Sequence, residues 1–253
     1  MTYPIYNDLN GKTVFITGGG SGIGASFVSA FAQQGAQVAF VSLSTDPAEL
    51  VCDTVENNTG HRPLYIQCDI RNINALQAAI NQARDAFGPI DILINNAARD
   101  DRHSVENYTA DAWDSAMDTN LRPHFFTAQA CLNDMQKNGG SIINLGSNSA
   151  ILGLAGYASY VTAKAGIIGL TKALARELGP SNIRVNALIP GWVLTERQKE
   201  LWATPETVKE CLSQQSLKKT ITEDDVSNAA LFLASNASAM VTGQSLIVDG
   251  GRV

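Results

Sequence analysis

Apolar residues along this chain alternate between two rhythms. Short, β-branched runs at Lys12–Thr17, Gln37–Ser42, Pro63–Gln67, Ile90–Ile94, Ser141–Leu145, Arg184–Ile189 and Ser245–Val248 have the length and composition of strands. Between them lie longer segments with helical spacing: Ala25–Gln34 closed by Gly35, Pro47–Thr59, and Ile73–Phe87 closed by Gly88-Pro89. Further along come Ala110 to about Asn138, about Tyr157–Leu178, and Glu223–Ala234 with Thr222 as N-cap. Pro123 is expected to kink or interrupt its helix. Strands alternating with helices predict an α/β fold: a doubly wound parallel sheet with helices on both faces and right-handed crossovers. No repeat or low-complexity linker divides the chain, so residues 1–253 are expected to form one domain. Residues 192–217 break the alternation; they are polar, carry Trp192 and Trp202, and are read as a substrate lid.

In such a sheet, ligands bind beyond the carboxyl ends of the strands. The segments that follow strands are Gly18–Gly24, Asp69, Asn95–His103, Ser147 and Pro190–Thr195, so one composite site is expected. The first of these, Gly18-Gly-Gly-Ser-Gly-Ile-Gly24, sits between a strand and a helix. There glycines permit close backbone approach to a pyrophosphate, and the helix N-terminus supplies free N–H groups. This predicts a Rossmann-like dinucleotide site. Tyr160 and Lys164 stand at i and i+4, one turn apart on one helix face, and Ser147 ends a strand beside them. Such a trio is suited to proton transfer: an ammonium favours the phenolate, which takes a proton while the serine donates to the substrate oxygen.

Composition narrows the function. Net charge is −6 with no basic block, which argues against nucleic-acid binding. No apolar run approaches the ~20 residues of a membrane span, and MTYPIYNDLNGK lacks the order of a signal peptide. Cys52, Cys68, Cys131 and Cys211 are scattered, and His61, His103 and His124 have no metal spacing. No metal site is expected, and the location is read as a reducing cytoplasm.

In order along nearly the whole chain, Thr17–Gly24, Asp69, Asn95-Asn-Ala-Ala98, Asn120, Ser147, Tyr160-x-x-x-Lys164 and Asn186-x-x-x-Pro190-Gly191 resemble the short-chain dehydrogenases/reductases. The resemblance implies that Gly18, Gly22 and Gly24, with Ser21 and Ile23, form the phosphate turn, and that Asp69 and Ile70 meet the adenine. Asn95 would hold the sheet edge and the adenosine half, and Pro190, Gly191, Val193 and Thr195 would line the nicotinamide. Lys164 would bind the nicotinamide ribose and lower the Tyr160 pKa, Ser147 would orient substrate, and Asn120 would hold a water in a proton relay. Asn186 is read instead as support for a strand end. Two departures are Ala98 and Gly146, where glycine and serine are usual. The cofactor is read as NAD or NADP. An acidic residue at the end of the second strand would select NAD, but Ser42-Leu43-Ser44 stands there, with Asp46 as a possible substitute.

Three stretches are read as substrate territory: Arg99–His103; Asn148-Ser149 with Leu152–Tyr157; and Trp192 with Arg197-Gln198 and Leu201–Glu206. Asp100-Asp-Arg-His103, Asn144-x-Gly-Ser147, Arg197-Gln198 and Thr204-Pro-Glu206 resemble one branch, the bacterial aldose 1-dehydrogenases. Asn148, Ser149, Trp192, Arg197 and Gln198 would then supply the hydrogen bonds that a polyol requires. The expected reaction is oxidation of an aldose at C1 to a lactone. The alternatives are reduction of a 3-oxoacyl or ketone substrate and a non-catalytic dinucleotide sensor. The family resemblance further implies a homotetramer.

Overall fold

The computed structural model describes residues 3–253. Seven strands form one sheet: β1 (Thr13–Thr17), β2 (Gln37–Ser42), β3 (Leu64–Gln67), β4 (Ile92–Asn95), β5 (Gly140–Leu145), β6 (Ile183–Pro190) and β7 (Ser245–Val248). Their order is β3-β2-β1-β4-β5-β6-β7, and every neighbouring pair is parallel. The chain winds outward in one direction from β1 to β3 and in the other from β4 to β7. The crevice at the β1–β4 junction is therefore the topological switch point.

The central strands are buried on both faces. Alternate residues of β1 feed two cores: Val14 and Ile16 pack on one side, Phe15 on the other. The first core is covered by α1 (Gly22–Gln33), α2 (Thr45–Thr59) and α10 (Glu223–Ala234), through side chains such as Phe27, Phe31, Val55 and Leu231. The second is covered by α3 (Ile73–Phe87), α5 (Arg122–Asn138) and α7 (Ala158–Leu178), through Leu76, Ile80, Met135 and Leu174. Thr222 caps α10 and forms a reciprocal capping box with Asp225.

The predicted helix from Ala110 to Asn138 is two helices. α4 (Ala110–Asn120) ends and α5 begins at Leu121, whose φ of −132° and ψ of −55° are not helical. Pro123 has no N–H for the carbonyl of residue 119, and it fits best in the first turn of a new helix. The segment read as a lid, residues 192–217, contains more regular structure than its polarity suggested. It contains α8 (Glu196–Leu201), capped by Thr195, and α9 (Pro205–Gln214), capped by Thr204. A short α6 (Asn148–Leu152) begins directly after Ser147. Each of these three is short, and α8 and α9 bury almost nothing apolar, so hydrophobic periodicity did not mark them; the threonine caps were the available signal.

One buried polar chain ties the sheet to two of its helices. Asn95 and Asn144 are register partners at the ends of β4 and β5, and Asn95 Nδ2 donates to Asn144 Oδ1 at 3.0 Å. Thr127 Oγ1 of α5 donates to Asn95 Oδ1 at 2.7 Å, and Asn144 Nδ2 donates to Thr171 Oγ1 of α7 at 3.1 Å. All four side chains are buried. Each partner left unpaired in such a place costs about 1–3 kcal/mol. Asn144→Leu, which removes one partner from each of Asn95 and Thr171, should therefore lower the denaturant midpoint without changing the m-value. An unchanged midpoint would show that the amide chain contributes nothing net.

Candidate active site

The carboxyl ends of the strands open into a cleft of about 1030 Å³. Its glycine-rich wall follows from local packing. Gly18 has φ +71°, and the N–H groups of Gly18 and Gly19 both donate to the Val41 carbonyl of β2. A Cβ on Gly24 would strike the Gly18 carbonyl and the Asn96 amide, so the first turn of α1 lies directly against the loop. Asn96 fastens the turn by donating to the carbonyls of Thr17 (3.1 Å) and Gly18 (3.0 Å). The N-cap of α1, Ser21, makes no side-chain cap bond, which leaves the N–H groups of that 12-residue helix facing the cleft. This cradle fits a pyrophosphate.

Most residues singled out from the sequence meet here. Gly18, Ser21, Ile23, Gly24, Ser42, Asp69, Ile70, Asn120, Ser147 and Tyr160 line the cleft, as do Pro190, Gly191, Val193 and Thr195. Gly22 (φ +53°) is not among the lining residues, but a Cβ there would crowd Thr195, which is. Asn95 does not reach the cleft; its side chain belongs to the buried chain beneath the floor, and Asn96 is the residue that holds the glycine turn. Asn186 supports the strand end, bonding the Val241 carbonyl and the Gln244 N–H. Asp46 lies in the first turn of α2 and is not among the lining residues, so Ser42, Leu43 and Ser44 face the cleft there without an acid. Ala98 is outside the positive-φ set, so alanine serves in place of glycine. Asp69 pairs with Arg71 at 2.6 Å, and that guanidinium holds its carboxyl below the usual range.

Ser147 caps α6, accepting from Ser149 N–H at 3.2 Å, and its Oγ is 2.8 Å from Ser149 Oγ. Asn148 is tied to Asp249 at 3.3 Å. Asn120 clamps the end of α4 to the loop after β4. Its Oδ1 accepts from Arg99 N–H at 2.8 Å, and its Nδ2 donates to the Arg99 and Ala116 carbonyls at 3.0 Å. Lys164 is fully buried, and its Nζ donates to the Leu145 carbonyl at 2.7 Å and lies 5.6 Å from the centre of the Tyr160 ring.

The electrostatics differ from the simplest expectation for a Tyr–Lys pair. Burial pushes the Tyr160 phenol above its ordinary value, and the Asp100 carboxylate adds to this; the Ser147 hydroxyl opposes them. Burial also lowers Lys164 from 10.5 to about 7, so it is only partly charged near neutrality. Desolvation dominates both shifts, and for Lys164 the Asp100 carboxylate opposes it.

Parts of all three stretches read as substrate territory line the cleft, including Arg99–Arg102, Asn148, Ser149, Tyr157, Trp192, Arg197, Gln198 and Trp202, whereas His103, Leu152 and Leu201 do not. Trp192 Nε1 donates to Gln198 Oε1 at 2.9 Å, and Gln198 Nε2 donates to Asp100 Oδ2 at 3.0 Å. Arg197 approaches Asp100 at 4.0 Å. The Arg102 guanidinium lies 4.0 Å from the centre of the Trp202 ring and 5.6 Å from that of Tyr157. His103 stacks on Tyr108 at 3.6 Å, and both bond Ser159 Oγ. Tyr108, Ser115 and Thr119, near and on α4, and Arg252 also line the cleft. No motif or spacing in the sequence marked these four.

A glycine cradle, a Ser–Tyr–Lys cluster and a polar outer pocket on one switch-point cleft define a dinucleotide-dependent oxidoreductase. The comparisons agree. A family model described as Enoyl-(Acyl carrier protein) reductase matches residues 18–252. A probable galactose dehydrogenase of Rhizobium meliloti (strain 1021) is 48% identical over 99% of both chains. A D-xylose 1-dehydrogenase of Caulobacter vibrioides is 43% identical, again over 99% of both. A crystal structure from Sinorhizobium meliloti 1021, titled as a candidate short-chain alcohol dehydrogenase, superimposes with a TM-score of 0.92 at 33% identity, covering 98% of each chain. The chain belongs to the short-chain dehydrogenase/reductase family. It is an oxidoreductase of CH–OH groups that uses a nicotinamide cofactor. Among the described residues, no helix is long and apolar enough to cross a membrane.

Lys164 gives this site a signature in stability. Its pKa is about 7 folded against an ordinary 10.5, so between those values the unfolded chain binds a proton that the folded chain has released. Folding stability from this group therefore rises with pH across that window and is lowest below it. The Tm difference between wild type and Lys164→Met should move in favour of wild type from about pH 7 to about pH 10. Parallel Tm curves would show that Lys164 keeps an ordinary pKa.

Proposed function

We propose that the protein oxidises an aldose at C1 to the lactone, with NAD or NADP as hydride acceptor. The observation that carries this reading is the linked set Trp192, Gln198, Asp100 and Arg197, which lines the same cleft as Tyr160, with the Asp100 carboxylate near enough to raise the Tyr160 phenol. It presents donors and acceptors already held in place, as recognition of a polyol requires. The names of the relatives at 48% and 43% identity, a galactose and a D-xylose dehydrogenase, support the same substrate class. A 3-oxoacyl or ketone substrate would be favoured by an apolar pocket; Leu154 and Trp192 line the cleft, but Leu152 does not, and the Trp192 indole N–H is engaged by Gln198.

The roles follow from position. Tyr160 takes the C1 hydroxyl proton while Ser147 Oγ donates to the same oxygen. The oxidised nicotinamide, when bound, supplies the acceptor for the C1 hydride. The α1 N-terminus and the Gly18–Gly24 loop hold the pyrophosphate, Asp69 and Ile70 face the adenine, and Pro190, Gly191, Val193 and Thr195 line the nicotinamide half. Lys164, buried and fixed by the Leu145 carbonyl, is not among the lining residues but would bind the ribose of a bound dinucleotide, and Asn120 holds the loop that frames the pocket. Ser42 selects neither a 2′-hydroxyl nor a 2′-phosphate by charge, so both cofactors are accepted. Residues 192–217 close the sugar into the pocket as a lid on what we read as one domain, 1–253. The exposed Trp113 and Phe125 of α4 and α5, and the edge position of β7, suit a homotetramer. The four free, buried cysteines suit a reducing cytoplasm.

Tyr160→Phe should abolish turnover while the dinucleotide still binds, read by absorbance of the reduced nicotinamide and by calorimetry. Retained turnover would remove Tyr160 from the role. Because burial raises the phenol, its base form grows with pH, and kcat/KM for oxidation should climb from pH 6 toward the pH of the Tyr160 ionisation. A flat profile there would argue against a phenolate base. Asp100→Ala should raise KM for the preferred sugar by about tenfold, with a smaller effect on the dinucleotide. No sugar turned over in a panel of pentoses, hexoses and deoxysugars would overturn the substrate reading.

A further inference from the structure

His124 is buried in the first turn of α5, with 2% of its surface exposed, and neither ring nitrogen reaches a protein partner. A neutral imidazole has one donor and one acceptor, and a buried polar group without partners is costly. Such a group in a native fold calls for ordered water or a function. The location narrows the choice. The His124 carbonyl accepts from Asn95 Nδ2 at 3.4 Å, so this turn rests on the end of β4. Asn95 pairs in register with Asn144 of β5, and the next residue, Leu145, offers the carbonyl that holds Lys164 Nζ. His124 and Lys164 are thus anchored on adjacent strands, one residue apart in register.

Asn120 is four residues before His124, across the break at Leu121, and the His124 N–H donates to the Leu121 carbonyl at 3.1 Å. Pro123 leaves the carbonyl of residue 119 without a helical N–H. Burial, with the Lys164 charge second, holds the imidazole well below its ordinary range, so it stays neutral and keeps both a donor and an acceptor. A neutral ring can receive a proton on one nitrogen as it releases one from the other, with no net charge left in the core.

We propose that His124 is a positioning residue of the proton path. Its ring nitrogens hold buried water against Lys164 and the α4–α5 break, and the proton that Tyr160 takes from substrate leaves the site along this water. The proposal deepens the dehydrogenase reading above and does not depend on the substrate being a sugar.

Two measurements test it. In a high-resolution crystal structure of the wild type, a ring nitrogen of His124 should bond a water that also touches Lys164 Nζ or a carbonyl at the α4–α5 break. A dry ring, or water confined elsewhere, overturns the proposal whatever the substrate proves to be. In kinetics on whichever CH–OH substrate wild type oxidises fastest, His124→Phe should lower kcat by about tenfold, short of the ~10²-fold expected when a group reacting directly with substrate is lost. KM and dinucleotide affinity should hold, the solvent deuterium isotope effect on kcat should grow, and His124→Gln, which keeps a donor and an acceptor, should recover most of the rate. A kcat within about twofold of wild type with the same isotope effect overturns the proposal. So does an equal loss in His124→Gln, which marks a packing role. If the phenylalanine variant does not fold, the crystallographic result and the glutamine variant's isotope effect decide. Failure of every sugar as substrate removes the aldose reading and leaves the water test standing.

Discussion

The active cleft depends on a hydrogen-bonded chain that lies beneath it. Thr127, Asn95, Asn144 and Thr171 join α5, β4, β5 and α7 in one buried line. A parallel sheet fixes the spacing of its own strands but not the height or rotation of the helices packed on it. Apolar contacts tolerate small shifts of that kind; hydrogen bonds between buried amides and hydroxyls do not, because a lost partner finds no water. α7 carries Tyr160 and Lys164, α5 follows Asn120 across a one-residue break, and β5 leads into Ser147. Fixing these four elements to one another sets the relative geometry of Ser147, Tyr160 and Lys164.

The same principle acts further out. The Asp100 carboxylate is shared by Gln198 and approached by Arg197, and Gln198 in turn holds Trp192. Residues 192–217 are thereby joined to the loop after β4 through polar side chains.

Desolvation is the cost of the inner arrangement. It raises Tyr160 and lowers Lys164, so neither holds its reactive charge easily at neutral pH. A group placed this way needs defined hydrogen-bond partners when it ionises and a route by which its proton departs. The unpartnered His124 ring beside Lys164 acquires its significance from that need.

Much of this was legible in the chain itself. The strands at Gln37–Ser42 and Ser245–Val248, the helix at Ile73–Phe87 and the Thr222-capped helix at Glu223–Ala234 fall where hydrophobic period and capping residues place them. These signals are local: a β-branched run or a capped amphipathic segment carries its preference in its own residues. The glycine turn, Ser147, Tyr160 and Lys164 were legible for a related reason, since strand ends and i, i+4 spacing are properties of short stretches. The tertiary structure decided the rest. Asn95 turned away from the cleft because Thr127 and Asn144, 32 and 49 residues distant, claim its amide. The helix around Pro123 became two, and the polar lid became α8 and α9. The Tyr–Lys pair shifted in the direction set by burial rather than by mutual charge. Depth, partners across the sheet and the loss of water are not written in any single stretch; they arise only when distant segments are packed together.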